Sequence, residues 1–446
     1  MKAKLGAISD SVDVSIKIDR SDWLIAGLLI ALTSWITYAS GQMIDPVLFQ
    51  HFTEDVWFGS DIERVISNMS LRGAPNYRAK VHPLFTLLTF PIVKGVRLIT
   101  GMPPNTAVSL LLAGTTALWV GLLYATLRLM GCRRFDAAVF SVLALSSAAL
   151  IFWTTVPETY LFGSLSLLVC LFLVALAQIK VLPVWSYILM SIFSLSITTT
   201  NWMIGIAATV VNHSRKRAIA ITGTALAITL LLWGVQNRIF VSTTFITDFA
   251  EETNYLFPKT SGGPIRVFLG FFFHPMVVPS LQVIPSTRNQ PEWPLLSVQH
   301  SLPGSGSLAG GIAIGLWVIL LGIGAIACWT ERKNLKLRLV VGFGLLGQLA
   351  LHLVYGEETF LYAIHLIPFL LIVCAMATLT RWRSMAIGLA MLLIVFAGWH
   401  NHDQFFQATE FLKNRGPLRQ QTLEVRSSLP PASLVGVGFQ HSDIHS

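Results

Sequence analysis

The sequence predicts an all-α, polytopic membrane protein, and two observations support that fold class. The 446 residues are 54% hydrophobic and only 12% charged, whereas a soluble globular domain carries about 25% charged residues. Several runs of roughly 18–20 apolar residues are each long enough to cross the hydrocarbon core of a bilayer as a helix. The first run follows a polar N-terminal segment and lacks a small-residue cleavage site, so we expect a signal anchor rather than a cleaved signal peptide.

The apolar runs predict about eleven transmembrane helices. The run at 82–100 contains prolines and basic residues, and its clean apolar core of about ten residues is too short to span; we predict an interfacial or half-inserted helix. The stretch 184–212 is short for two crossings, and we predict a hairpin of two short helices broken near Thr198–Trp202, where protein or a water-filled cavity surrounds the irregular backbone. The eleven runs are 23–39, 105–127, 137–154, 160–178, 184–199, 201–212, 218–235, 308–328, 337–354, 360–379 and 384–400.

The distribution of charge predicts the orientation. With the N-terminus in the cytoplasm, the inside segments hold 17 Lys and Arg against 6 Asp and Glu, as the positive-inside rule expects. We therefore divide the chain into a cytoplasmic segment 1–22, a transmembrane domain 23–400 with external loops 40–104 and 236–307, and an external tail 401–446. The net charge of +9 reflects this topology and not a nucleic-acid partner. The four basic clusters that fall inside are Arg128 to Arg134, Arg215 to Arg217, Arg332 to Arg338, and Arg381 with Arg383.

The first external loop contains a short amphipathic helix with acidic residues at its start. In SDIERVISNM, residues 60–69, the apolar side chains recur at i, i+3, i+4 and i+7, a stripe suited to the membrane surface. Ser60 and Glu63 match a capping box, which places Asp61 at the first helical position. Asp61 is either a surface acid that complements the helix dipole or a carboxylate held at the membrane to accept a proton from a hydroxyl. Asp55 is a second candidate for that role.

A cluster of polar side chains precedes the apolar run that begins at His82. It consists of Tyr77, Arg78, Lys80 and His82. One interpretation is a basic rim that is attracted to lipid headgroups. The other is a clamp for the phosphate of an anionic lipid, because Arg, Lys and His can all donate hydrogen bonds to phosphate oxygens.

Further candidates lie at the outer ends of predicted spans. Glu158 occupies a very short hairpin, where it is either a helix cap or a group that points into a shared external cavity. In LVYGEETFLYAIHLIP, Glu357 ends one span, and Tyr362 and His365 open the next on one helix face. A histidine inside a transmembrane segment is costly unless it is paired or faces water, so His365 is either functional or a satisfied core residue.

The aromatic segment 262–280 is interrupted by Gly and Pro and is predicted to dip into the membrane without crossing it. Arg266 and His274 are expected near the headgroup level, where simple interfacial anchoring is the alternative to substrate binding. The sequence has no nucleotide-binding P-loop, no G-x-S-x-G and no H-E-x-x-H, which disfavours a nucleotide-driven pump. Its four cysteines lack C-x-x-C spacing, so no metal site is predicted.

These motifs together resemble the GT-C superfamily of membrane glycosyltransferases, and within it the branch of protein O-mannosyltransferases and lipid A aminoarabinose transferases. The resemblance rests on Asp61 in SDIERV, on the His-Pro of VHPLF, on Glu158 after the next pair of spans, and on EETFLYAIHLIP at the start of a late span. It covers the first 180 residues and the rest only by layout. Three departures from the usual pattern are Ile62 between the two acids, Leu84 after Pro83, and Leu361 before Tyr362.

The resemblance implies transfer of a sugar from a polyprenyl-phosphate carrier at the external face of the cell membrane, by one inverting and metal-independent displacement. Asp61 and Glu158 would be the catalytic carboxylates, and the acceptor would be a hydroxyl of a glycan, lipid or protein. Membrane lipids are expected partners, and no cofactor is expected besides the donor. The residues expected to bind substrate are Tyr77, Arg78, Lys80, His82, Arg266, His274, Glu357, Tyr362 and His365.

Two alternatives from other functional classes stay open at the level of sequence. A flippase for lipids or lipid-linked sugars would perform no chemistry and would need charges at the midplane of the bundle, whereas the acids here gather at the outer ends of spans. A non-catalytic assembly factor would contain no single essential acid.

Overall fold

A computed structural model describes residues 19–49, 56–241, 243, 252–284, 295–331 and 333–428. Helices make up most of the regular structure in these ranges, and two short strands, β1 (Gln282–Ile284) and β2 (Leu295–Ser297), pair antiparallel. Asp55 and the tail beyond residue 428 lie outside the described residues. The helices are α1 (Arg20–Gly41), α2 (Ile62–Ser70), α3 (Phe85–Thr100), α4 (Pro104–Met130), α5 (Arg134–Leu145), α6 (Ala148–Trp153), α7 (Thr159–Leu176), α8 (Val184–Ile197), α9 (Trp202–Val210), α10 (Arg215–Ile239), α11 (Gly263–Phe272), α12 (Leu308–Thr330), α13 (Leu335–Val354), α14 (Ala363–Met376) and α15 (Arg383–Ser428).

Eight helical segments in the described part of the chain are long and apolar enough to cross a membrane. The prediction of an all-α, multi-pass membrane protein is confirmed in this form, and each of the eight overlaps a predicted span. The segments are Arg20–Gly41, Pro104–Met130, Thr159–Leu176, Arg215–Ile239, Leu308–Thr330, Leu335–Val354, Thr359–Leu379 and Arg383–Asn414.

The remaining three predicted spans contain shorter helices. The run 137–154 is divided into α5 and α6 at Ser146 and Ser147, and the Ser147 hydroxyl caps α6 by accepting the N–H of Leu150 at 3.3 Å. The predicted hairpin at 184–212 is confirmed as α8 and α9 joined by a 3-10 turn. Alone, the 14 residues of α8 reach only about 21 Å, which is short of a bilayer core of about 30 Å.

The ambiguous run at 82–100 forms the 16-residue helix α3, which does not belong to the eight candidate spans. Phe85 and Val93 are buried on one face, whereas Leu88 and Ile92 are exposed on another. The interpretation of this run as a helix that does not cross the membrane agrees with this one-sided burial.

The amphipathic helix α2 begins one residue later than predicted, and the predicted capping box is absent. Asp61 is the N-cap residue and makes no side-chain capping bond, while the Ser60 hydroxyl donates to the carbonyl of Trp57 at 2.6 Å. The apolar stripe was predicted to face the membrane surface, but it is buried inside the protein. Its members Ile62, Val65, Ile66 and Met69 are between 0% and 6% exposed. Packing against the bundle therefore holds α2, and with it Asp61, in a fixed position.

The predicted basic clusters meet at one end of the bundle. Asp22 near the start of α1 pairs with Arg128 near the end of α4, at 2.6 Å, and with Arg134 at the start of α5, at 3.3 Å. We call this the basic end. The other contacts that join the clusters are Asn334 Nδ2 to the Met130 carbonyl (2.9 Å), Lys336 Nζ to Asn212 Oδ1 (3.1 Å) and Arg383 Nη2 to Asp136 Oδ1 (2.6 Å).

Two helices at the centre of the bundle point their N-termini toward the opposite end. Every residue of α14 is buried, and α7 packs against both α14 and α4. The first turn of α7 follows Glu158, and α14 follows Tyr362. Helix α15 continues without a break through the predicted boundary at residue 400, and its Phe405 packs on Trp57 with ring centroids 6.0 Å apart.

Candidate active site

Two acids that are 97 residues apart in the sequence meet at the end of the bundle opposite the basic end. Glu158 is the N-cap of α7, and its Oε2 accepts the backbone N–H of Asp61 at 3.0 Å. Its Oε1 accepts the backbone N–H of Thr159 at 2.7 Å and the Thr159 hydroxyl at 2.9 Å. Glu158 is 1% exposed, so both of its oxygens are committed to fixing the start of α2 and α7.

Asp61 is the more accessible of the two acids. Its side chain is 39% exposed, and its Oδ2 lies 2.6 Å from Nη2 of Arg64, one turn along α2. Burial alone would raise the pKa of Asp61, but the positive charges of Arg64 and Arg78 outweigh burial and hold it below its ordinary value. Burial and the neighbouring charge of Asp61 instead raise the pKa of Glu158. Asp61 is thus the ionised, reachable carboxylate of the pair.

Positive charge surrounds Asp61. Arg64 is only 11% exposed on its side chain, and its guanidinium carbon lies 5.8 Å from the centroid of the Tyr77 ring. Arg78 is close enough to both Asp61 and Arg64 to affect the pKa of each. Lys80, in the same 3-10 turn, is 3% exposed. Two guanidinium groups around one ionised carboxylate favour the binding of an anion.

His82 belongs to the site, but it is not the cation that the sequence suggested. It is 5% exposed, and its Nδ1 lies 2.8 Å from the carbonyl of Ile197 at the turn after α8. Burial and the nearby charges of Arg64 and Arg78 lower the pKa of His82 to about 3. The ring is therefore neutral at pH 7, and its Nδ1–H donates to that carbonyl. His82 therefore anchors the α8–α9 hairpin to the site, and its role toward a phosphate stays a prediction.

An aromatic wall continues the site into the bundle. The Tyr160 ring lies 5.0 Å from that of Tyr362, 5.4 Å from His365 and 6.4 Å from His82, measured between centroids. His352 of α13 stacks on Tyr362 at 4.7 Å. Nε2 of His352 and Nε2 of His365 are buried without a hydrogen-bond partner among the described residues. Nε2 of His365 lies against Gly163 of α7, where a Cβ would not fit, so this nitrogen faces the packed interior of the bundle.

The two acids at the start of the last central helix differ in burial. Glu357 is partly exposed, whereas Glu358 is buried and caps the turn Thr359–Tyr362. Oε2 of Glu358 accepts the Ser297 hydroxyl at 2.6 Å, and burial raises the pKa of Glu358 to about 7. Glu358 therefore ties strand β2 to the segment that carries Tyr362, and Glu357 is the acid of the two that a substrate could reach.

Arg266 lies close enough to His274 to affect its pKa, and His274 is inside the protein. His274 is 0% exposed, and burial together with the charge of Arg266 lowers its pKa to about 3. Phe271 of α11 lies 6.0 Å from the His352 ring, so this pair borders the aromatic wall through α11 and does not contact Asp61 in the hydrogen bonds or ion pairs described here.

A groove lies beside the site, between the α8–α9 hairpin and α13. Its volume is about 460 Å³, and its lining is mostly apolar. The backbone N–H of Thr199, in the groove wall, donates to the carbonyl of Val81 next to His82 at 2.9 Å. One backbone hydrogen bond therefore ties the groove wall to the segment that carries His82. The groove is lined by Thr199, Thr200, Trp202, Met203, Ile206, Gly347 and Leu351.

The arrangement joins a reachable base, two cations and an apolar groove. No group of three or more His, Cys, Asp or Glu side chains in the described ranges could hold a metal ion. No protein-family model and no curated protein matches this chain. Its functional interpretation therefore rests on the geometry of the site. Three side chains that sequence reasoning did not assign to it are Arg64, Tyr160 and His352.

Proposed function

We propose that the protein is a membrane glycosyltransferase of the GT-C type that moves a sugar from a polyprenyl-phosphate carrier to an acceptor hydroxyl. The observation that carries the proposal is the ionised, accessible carboxylate of Asp61 beside Arg64 and Arg78. A base next to cations suits a reaction in which a hydroxyl loses a proton while a phosphate leaves. A site in which two carboxylates acted only as acid and base would not require guanidinium groups beside them.

In the proposed reaction the acceptor oxygen attacks the anomeric carbon of the donor from the face opposite the phosphate. The bond between that carbon and the phosphate oxygen breaks, and the electron pair leaves with the polyprenyl phosphate. Asp61 takes the hydroxyl proton. Arg78 and Arg64 stabilise the negative charge on the departing phosphate, and Glu158 positions Asp61 through the bond to its backbone N–H.

The groove beside Thr199 is the proposed place for the carrier's prenyl chain. It is mostly apolar, and its wall is joined to the segment that carries His82 by the bond from Thr199 to Val81. A chain in this groove would place its phosphate near Arg78. The aromatic wall is then next to the sugar, where tyrosine rings can pack against the apolar face of a pyranose.

We also propose eleven crossings with the site on the external face. The supporting observation is that the three shorter runs connect the same two ends as the long helices. The α8–α9 hairpin contacts His82 at its turn and Lys336 through Asn212 near its end. The α5–α6 pair leads from Arg134 to Glu158. The basic end would face the cytoplasm by the positive-inside rule.

Replacement of Asp61 tests the function. Asp61→Asn keeps the size of the side chain but cannot accept a proton at neutral pH. General-base catalysis contributes about 10²–10⁴-fold, so the purified variant should bind the carrier yet transfer sugar at least about a hundredfold more slowly. Glu63→Gln, on the same helix, is the matched control and should keep most of the activity. Carrier-dependent transfer at the wild-type rate by Asp61→Asn would contradict the assignment of Asp61 as the base and move that role to Asp55 or Glu158, whereas a wild-type protein that binds the carrier but transfers no sugar would favour a flippase.

A further inference from the structure

Arg64 forms an ion pair with Asp61, the carboxylate that we propose as the base. The two residues are three apart, so they lie on one face at the start of α2. Their Nη2 and Oδ2 atoms are 2.6 Å apart, and the arginine is the more buried partner. The pair occupies one of the two carboxylate oxygens, and its positive charge makes the whole carboxylate less basic toward an acceptor hydroxyl.

The guanidinium of Arg64 has unused capacity to bond an anion. Its Nε is buried and lacks a hydrogen-bond partner among the described residues, although a guanidinium offers five donors in a planar fork. That fork matches the oxygens of a phosphate. Tyr77 covers one face of the group at 5.8 Å, which favours in-plane contacts.

We propose that Arg64 exchanges partners, from Asp61 in the resting protein to the phosphate of the bound donor, so that the donor must bind before Asp61 can act on the acceptor. The inference rests on the proposed function and deepens it by assigning Arg64 a role in the order of binding. No covalent step is involved. The Asp61 carboxylate and the donor phosphate compete for the guanidinium of Arg64.

Two physical arguments support the exchange. A buried charge that loses its partner is strongly destabilised, so Arg64 will leave Asp61 only when another anion replaces it. The exchange also makes Asp61 a better base, because its positive neighbours keep its pKa below the ordinary value and a base is most effective when its pKa is near the working pH. Donor binding thus both frees Asp61 and strengthens it.

A double-mutant cycle on carrier binding tests this exchange without requiring transfer. The probe is a polyprenyl phosphate without a sugar, titrated into the purified full-length protein in lipid nanodiscs. Arg64→Gln should weaken binding about ten- to a hundredfold, the loss expected for a charge-assisted hydrogen bond. Asp61→Asn should tighten binding about tenfold, because the competing carboxylate is gone. In the double variant the gain from Asp61→Asn should disappear.

The controls and outcomes separate the exchange from the function. Glu63→Gln removes an acidic residue from α2, and Arg72→Gln removes a basic residue from the loop after it. Both variants should bind the carrier as the wild type does. If Asp61→Asn tightens binding equally with and without Arg64, the two residues act independently and the exchange is wrong while the glycosyltransferase proposal stands. If neither the wild type nor any variant binds polyprenyl phosphate, both proposals fail.

Discussion

Asp61 has to satisfy two opposing requirements. It must be ionised to accept a proton, which the charges of Arg64 and Arg78 ensure, and it must hold the proton once accepted, which the same charges oppose. Glu158 lies behind it with a raised pKa, and the neutral His82 adds no charge. The basicity of Asp61 is therefore controlled mainly by two arginines, one of which, in our proposal, moves to the donor phosphate.

The pH dependence of transfer should report this control. In the wild type, the acidic limb of the kcat/KM profile should lie below the ordinary range of a carboxyl group, because Arg64 and Arg78 favour the ionised form of Asp61. Arg64→Gln removes one positive neighbour, raises the pKa of Asp61 and should move the acidic limb to higher pH. The measurement is the initial transfer rate at sub-saturating substrate, from neutral pH down to below the ordinary carboxyl range, with Glu63→Gln as a control that keeps the wild-type profile. An unchanged limb in Arg64→Gln would show that another group is titrating.

The sequence identified the acids of the site but not their division of labour. Asp61 could be chosen from its place at the start of an amphipathic helix and Glu158 from its place at a span end, and the structure brings them together. Arg64 was missed, although it lies at i+3 from Asp61, because a lone charge on a short helix is usually a solvated surface group. The burial of His82 was not predicted. It depends on a contact with the α8–α9 hairpin that is 115 residues distant in the sequence.

Among the elements, the long apolar helices were predictable and the short ones only in part. Hydropathy and length are sufficient for the eight candidate spans, since the bilayer imposes both. The α8–α9 break followed from length and from polar interruptions, and the same features led to the prediction that α3, a 16-residue helix, does not cross. The prediction of a capping box in α2 was wrong because the Ser60 hydroxyl donates to the carbonyl of Trp57 instead. The burial of the apolar stripe was missed because amphipathic periodicity does not distinguish a membrane surface from a protein surface.

The groove between α9 and α13 predicts a dependence on carrier length. In Gly347→Leu the Cβ would lie 2.9 Å from Sδ of Met203, a flexible side chain, so the larger residue should fit by filling the groove. A long-chain polyprenyl phosphate should then bind about tenfold or more weakly, because each buried methylene contributes about 0.8 kcal/mol, while a short-chain analogue should bind normally. The measurement is the dissociation constant of both carriers.

The matched control for the groove lies on the same helix. A Cβ at Gly342 would meet nothing within 4 Å, so Gly342→Leu adds the same volume to α13 away from the groove. It should leave both dissociation constants unchanged. Equal weakening of long and short carriers by Gly347→Leu would mean that the prenyl chain binds elsewhere.

At the scale of the whole molecule, charge is separated between two ends. The basic clusters at one end hold α1, α4, α5, α13 and α15 together through ion pairs and hydrogen bonds. The candidate site occupies the other end. The sequence predicted this separation from charge counts alone, because the positive-inside rule acts on loops regardless of tertiary structure. It could not predict which loop residues would meet, because that depends on packing between distant helices.

Cysteine labelling of the two ends tests the proposed orientation. Lys216 at the basic end and Arg72 after α2 are both exposed, so a cysteine at either position is accessible to a thiol reagent. With the site on the external face, a membrane-impermeant maleimide should label Arg72→Cys in intact cells, and it should label Lys216→Cys only after the membrane is permeabilised. Cys132, Cys170 and Cys374 are buried and can stay in place. Cys328 is partly exposed and is replaced in both variants, so that the reagent labels only the introduced cysteine. Labelling of Lys216→Cys in intact cells would reverse the orientation, and labelling of both positions from one side would show that an odd number of crossings does not separate them.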